Sequence, residues 1–261
     1  MQELKNIVLF LMDMDGTLYL ENELIPGARD FIYRLIEKKK NYVFITNNSS
    51  VNKNNYFEKL KRLDIPCKEK NLFSSGMATG TFLKTQRKGR KVYLVGTKAL
   101  EEELLKYGVE LVEEGAEIVL VGYDRELTYK KLEKACYFLD EGAEFLATNA
   151  DYLFPLKRGR FLPDCASICM MLTKATGKHP VFIGKPNRYM VDLLREKHGL
   201  SKHQVAIIGD RLYTDVACGK NAGITSILVL SGETKVNDLK AATEKPDYVF
   251  PSLKEIIEYI Q

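Results

Sequence analysis

A chain of 261 residues can hold one large domain or two medium ones, and 45% apolar and 28% charged residues describe an ordinary globular protein. A net charge of +4, carried by scattered lysines, is too weak to argue for a nucleic-acid partner. The apolar segment after residues 1–6 is too short for a signal peptide or a bilayer span, and five cysteines without a CxxC pair read as reduced thiols of a cytoplasmic protein.

The first element is Ile7-Val8-Leu9-Phe10-Leu11-Met12, a run that predicts a strand buried on both faces. It ends in Asp13-Met14-Asp15-Gly16-Thr17. Pro26-Gly27 opens a helix to about Lys39, where the run Lys38-Lys39-Lys40 suits the dipole of a helix end. A second buried strand, Tyr42-Val43-Phe44-Ile45, ends in Thr46-Asn47-Asn48-Ser49-Ser50. Helices over about 53–63 and 77–85 follow. Polar residues 86–90 then break the pattern and mark the neighbourhood of a domain boundary.

Strands at 92–95, 118–121 and 144–147 come next, separated by helices at 98–107 and 128–140, up to the turn Gly177-Lys178-His179-Pro180. The last stretch returns to the opening style. Val181-Phe182-Ile183 reaches Gly184-Lys185-Pro186-Asn187, and a helix over 187–198 follows. Strand 205–208 reaches Gly209-Asp210, 224–230 is a further strand, and 252–259 is the closing helix. This alternation predicts an α/β fold built on parallel sheets. The simplest division is a discontinuous core domain over 1–80 and 180–261, interrupted by an α/β insertion over 81–179.

Four apolar strands of that core end in chemically pointed residues: Asp13 and Asp15, Thr46 and Asn47, Lys185, and Asp210 with Asp215. In a parallel sheet such ends converge on one edge, where open α/β folds bind ligands. Carboxylates, one ammonium, a hydroxyl and an amide together suit a phosphate and a divalent cation. Two like charges about 4 Å apart repel by ~4 kcal/mol at an effective dielectric of about 20. Asp13, Asp210 and a phosphate therefore need a hard, oxygen-seeking cation between them, with Mg²⁺ the first choice.

The ordered set Asp13-Met14-Asp15-Gly16-Thr17, Thr46, Lys185 and Gly209-Asp210-Arg211-Leu212-Tyr213-Thr214-Asp215 resembles the four motifs of the haloacid-dehalogenase (HAD) superfamily. The large insertion, with the wording Thr46-Asn47-Asn48-Ser49 and Gly184-Lys185-Pro186, is similar to the NagD-like, p-nitrophenyl phosphatase subgroup. The resemblance implies a Rossmann-like core with an inserted cap that reads the substrate. It implies a Mg²⁺-dependent phosphatase for small phosphorylated metabolites that works through an aspartyl-phosphate.

Asp13 would be its nucleophile and Asp15 its acid and base. Asp13, the Asp15 backbone carbonyl and Asp210 would hold the metal, with Asp215 behind them. Thr46, Asn47 and Lys185 would contact the phosphoryl group. A homo-oligomer formed through the cap is compatible with the same resemblance. Asn149-Ala150-Asp151 stands where the subgroup usually has Asn-Pro-Asp.

Each residue also has a plain structural reading. Asp13 and Asp15 fit turn positions, while Thr46, Asn47 and Asp215 fit helix caps; Lys185 fits a helix flank. Gly76-Met77-Ala78-Thr79-Gly80 fits close helix packing, and His179, His198 and His203 fit the surface. Two other functions use similar residues. One is a phosphotransferase or phosphomutase on the same scaffold. The other is a receiver-like protein phosphorylated on Asp13, although receivers are about half this length.

Overall fold

The computed structural model describes residues 2–156 and 159–261. In chain order its first elements are β1 (Leu9–Met12), β2 (Tyr19–Leu20), β3 (Glu23–Leu24), α1 (Ala28–Glu37), β4 (Asn41–Thr46), α2 (Lys53–Arg62) and β5 (Leu72–Ser74). Next come α3 (Ser75–Gln86), β6 (Lys91–Val95), α4 (Lys98–Lys106), β7 (Glu110–Leu111), β8 (Ile118–Val121), α5 (Tyr129–Asp140) and β9 (Glu144–Ala147). A hairpin of β10 (Leu153–Leu156) and β11 (Arg160–Pro163) leads to α6 (Cys165–Thr176) and β12 (Val181–Phe182). The chain closes with α7 (Tyr189–Lys197), β13 (Val205–Gly209), α8 (Ala217–Ala222), β14 (Thr225–Val229), α9 (Val236–Ala241), β15 (Tyr248–Phe250) and α10 (Leu253–Ile256). No helix among the described residues is long and apolar enough to cross a membrane.

The chain separates into two compact units. Unit 1 comprises residues up to Thr46, then 56–73 and 185–261; unit 2 comprises 47–55 and 74–184. The breaks expected at 80/81 and 179/180 fall instead at 73/74 and 184/185: α3 and residues 47–55 group with unit 2, and β12, expected as a strand of the core sheet, pairs with β9 of unit 2.

In unit 1 the sheet order is β15-β14-β13-β1-β4-β5. The pairs β15–β14, β14–β13, β13–β1 and β1–β4 are parallel. All four residues of β1 are fully buried, as a central parallel strand requires. Each such side chain contributes roughly 1.5–3 kcal/mol by leaving water. Register then sets the site. Met12 lies opposite both Ile208 and Phe44, so Asp13, Gly209 and Ile45 stand at one level, with Asp210 and Thr46 a single residue beyond.

In unit 2 five parallel strands run in the order β12-β9-β8-β6-β7. Alternate residues supply two cores. Ile118 and Leu120 of β8 pack with Leu83 of α3 and with Leu100 and Leu104 of α4. Val119 and Val121 pack with Ala135 and Leu139 of α5 and with Ile168 and Leu172 of α6. The period of two along the strand thus assigns helices to both sheet faces.

The glycines of the Gly76–Gly80 run do serve packing: a Cβ on Gly80 would stand 2.5 Å from the Tyr107 ring. Element bounds differ from those expected by at most two residues, save the last helix, which tightens to a 3₁₀ turn after Ile256. The sequence reading passed over the β10–β11 hairpin, α6, α9 and β15. The signals for α6 were present: Asp164 caps its start, and Gly177, at φ 70°, ends it.

Candidate active site

Asp13 is the first residue past β1, and its N–H donates to the Ile208 carbonyl at 2.8 Å, which continues the ladder to the site. Lys185, only 2% exposed, donates to Asp13 Oδ1 at 2.5 Å and to Asp215 Oδ1 at 2.6 Å. Asp215 lies inside a π-helical turn, Leu212–Val216, rather than at a helix N-terminus, so the capping reading fails for it. Its other oxygen accepts from the Arg211 N–H at 3.1 Å.

Asp210 Oδ2 accepts from the Glu233 N–H at 2.6 Å, while its Oδ1, fully buried, has no hydrogen-bond partner among the described residues. One carboxylate oxygen from each of Asp13, Asp210 and Asp215 lies within 4.8 Å of the others.

These are three buried carboxylates to one ammonium. Burial pushes the Asp13 carboxyl well above its usual range; Lys185 opposes that shift, and Asp215 and Asp210 reinforce it. Asp210 is pushed up to about 7, first by burial and then by Asp215. Burial works against the Lys185 ammonium, yet Asp13 and Asp215 hold it above its ordinary value. An all-oxygen donor set, an orphaned carboxylate oxygen and excess negative charge fit a hard divalent cation. Backbone closes in on the same atoms. A Cβ on Gly16, whose φ is 89°, would stand 2.3 Å from Asp210 Oδ2, and one on Gly232 would stand 1.9 Å from it.

Asp15 sits apart from the carboxylate cluster. Its side chain is 19% exposed, and Oδ1 lies 3.6 Å from Lys59 Nζ. Burial raises the Asp15 carboxyl, with Lys59 and then Arg211 opposing. Thr46 is buried at the end of β4. Asn47 is placed differently from the acidic group: its amide donates to Asp151 Oδ2 at 2.6 Å within unit 2. His179 and His203 are exposed and His198 half-buried, as expected of surface residues.

Sequence reasoning missed Lys59, the Arg211–Glu233 ion pair at 2.9 Å, and the turn Ser231-Gly232-Glu233-Thr234 that wraps Asp210. That turn follows the apolar strand β14 and could have been found by the rule that singled out the other strand ends. Lys59 had no such signal, since a lysine on a polar helix face looks like any other.

Family comparisons agree with this geometry. A model described as haloacid dehalogenase-like hydrolase matches residues 10–110, and a HAD-hydrolase-like model matches residues 182–256. The 5'-nucleotidase YutF of Bacillus subtilis is 36% identical over 251 residues, which span 96% of this chain and 98% of that protein. The ribonucleotide monophosphatase NagD of Escherichia coli K12 is 33% identical over 254 residues, 97% and 98% of the two chains. The crystal structure of a 4-nitrophenylphosphatase from Thermotoga maritima superposes with a TM-score of 0.95 at 42% identity, covering 99% of both chains. The chain belongs to the haloacid-dehalogenase-like hydrolases, in their NagD-like group of phosphatases.

Proposed function

We propose that this HAD-type phosphatase hydrolyses small-molecule phosphomonoesters in two steps, through a phosphate carried on Asp13, in a Mg²⁺-dependent reaction. The observation that carries the reading is the Lys185-bridged cluster of Asp13 and Asp215 beside the orphaned oxygen of Asp210. Asp13, the Asp15 backbone carbonyl and Asp210 would hold the ion, with Asp215 behind them fixing Lys185. Once bound, the ion offsets the negative charge that otherwise bars an anionic nucleophile from an anionic phosphoryl group.

In the first step an Asp13 oxygen attacks phosphorus, the bond to the leaving oxygen breaks, and Asp15 gives that oxygen its proton. In the second step Asp15 takes a proton from water, whose oxygen attacks phosphorus while the bond to Asp13 breaks. Inorganic phosphate leaves, and both carboxyl groups return to their starting states. Thr46 and Lys185 hold the non-bridging oxygens. Asn47, whose amide is engaged by Asp151, holds the segment that follows Thr46.

Unit 1 carries the phosphoryl transfer, and unit 2 supplies substrate specificity. The names of the relatives, a 5'-nucleotidase, a ribonucleotide monophosphatase and a 4-nitrophenylphosphatase, differ in leaving group and share the phosphate. Five cysteines that form no disulfide among the described residues fit a reducing, cytoplasmic setting.

Acid quench during turnover of p-nitrophenyl phosphate, followed by peptide mapping, should trap phosphate on Asp13. EDTA should abolish turnover and added Mg²⁺ restore it. Turnover indifferent to chelation, or label on another residue, would refute the scheme. A stable phospho-Asp13 without released phosphate would instead indicate a signalling protein.

A further inference from the structure

Lys59 lies on α2, outside the acidic cluster, yet its ammonium is fixed from two sides. It stands 3.6 Å from Asp15 Oδ1 and 3.6 Å from the centroid of the Tyr19 ring. Tyr19 is fully buried and belongs to the turn that carries Asp15. The Gly16 N–H donates to the Tyr19 carbonyl at 2.8 Å, and the Tyr19 N–H donates to the Met14 carbonyl at 3.3 Å. A rigid aromatic face therefore sets where the cation stands, with an attraction of roughly 0.5–2 kcal/mol. The side chains of Lys59 and Asp15 are 22% and 19% exposed, so their mutual field is only partly screened by water.

We propose that Lys59 is a positioning residue: seated on Tyr19, it holds the Asp15 carboxyl toward the leaving-group oxygen. The inference rests on the acid–base role given to Asp15 above. Without that cation the carboxyl can turn about two side-chain torsions. A displacement of about 1 Å costs on the order of 10²-fold in an aligned reaction. In the transfer of phosphate to Asp13 the loss should appear only where a proton must be delivered, and kcat/KM, which ends at release of the leaving group, isolates that step. An alkyl phosphate expels a strongly basic alkoxide and needs it, whereas p-nitrophenolate leaves unaided.

The test is a double-mutant cycle on the metal-loaded protein, with kcat and KM measured for an alkyl phosphomonoester and for p-nitrophenyl phosphate. Lys59→Met should lower kcat/KM on the alkyl ester by about tenfold or more and change kcat/KM on the nitrophenyl ester by less than about twofold, while any loss in the water step lowers kcat on both esters alike. Lys59→Arg should recover most of the loss. In an Asp15→Asn background, Lys59→Met should cost nothing further.

Equal losses of kcat/KM on both esters, or losses additive with Asp15→Asn, would overturn the inference while leaving the phosphatase scheme standing. An Asp15→Asn protein whose kcat/KM falls equally on the two esters would overturn the acid role itself. Thermal melting checks that each variant folds, and Lys59→Gln replaces Lys59→Met if the latter unsettles α2.

Discussion

The two units are built alike, as parallel sheets with carboxylates gathered past their strand ends, but they treat those carboxylates in opposite ways. In unit 2, Asp151 Oδ2 accepts from the amides of Asn47 at 2.6 Å and Asn149 at 2.9 Å. Asp164 Oδ1 accepts from Asn149 at 3.0 Å and from the Cys165 N–H at the head of α6. Every helix from α3 to α6 starts on a side-chain cap, from Ser74, Thr97, Thr128 and Asp164 in turn.

In unit 1, Ser252 caps α10, but Gly27 and Val216 stand at the starts of α1 and α8 with no polar side chain to offer. There Asp210 Oδ1 has no partner among the described residues, and one lysine serves two aspartates. Architecture is therefore no guide to chemistry. The telling quantity is whether buried charge is satisfied by the protein itself or left for something else to complete.

Substitutions can break that contrast, starting with the largest effect. Asp13→Asn removes the proposed nucleophile and should lower kcat on p-nitrophenyl phosphate by roughly 10⁴-fold or more. Because it also relieves crowded negative charge, it should hold or raise the melting temperature. A large fall in thermal stability would show that unit 1 depends on that charge for its fold.

Asp151→Ala should do the reverse in kind. It removes one acceptor from each of two buried amides and should cost about 2–4 kcal/mol of stability, read from denaturant unfolding. Stability unchanged to within about half a kcal/mol would mean that the unit 2 network is not self-sufficient.

The smallest effect sharpens the contrast at a surface. Glu144 takes hydrogen bonds from Arg87 at 2.8–3.0 Å and from Arg90 at 2.5 Å. The Arg87 bonds, more than any other contact, hold its carboxyl below the ordinary 4.5. A carboxyl held low in the folded state stabilises above its unfolded value and loses that contribution as pH falls through the folded one. Glu144→Gln should lower the melting temperature by roughly 1–3 °C at neutral pH, with the deficit shrinking toward about pH 3. A deficit that stays constant with pH would assign the effect to geometry rather than charge.

Much of this was legible in the residues. β1 and β8 announce themselves because a strand buried on both faces must be apolar without interruption. Asp13 and Asp210 were legible because each stands directly behind a buried strand of the unit 1 sheet, and that sheet does the gathering; Lys185 instead follows β12, an edge strand of the unit 2 sheet, and Asp215 lies in the π-helical turn beyond β13. Asn47 was harder. Its position after β4 was plain, but nothing local showed that its amide is held by Asp151, a residue 104 positions later in the chain. Lys59 was invisible for a related reason: its partners Asp15 and Tyr19 lie in a turn, and only tertiary folding brings α2 to them. The α6 helix went unseen because cysteines, methionines and small residues blur the period of a helical face.

The glycines at 16 and 232 carry a consequence for how such a protein can change. Main chain, not side chain, forms the wall against Asp210, and a single added methyl group has nowhere to go. That corner of the molecule offers mutation no gradual path, since even the smallest enlargement collides. Novelty in what the protein accepts must then accumulate elsewhere, while the acid-lined hollow stays frozen by the nearness of its own backbone.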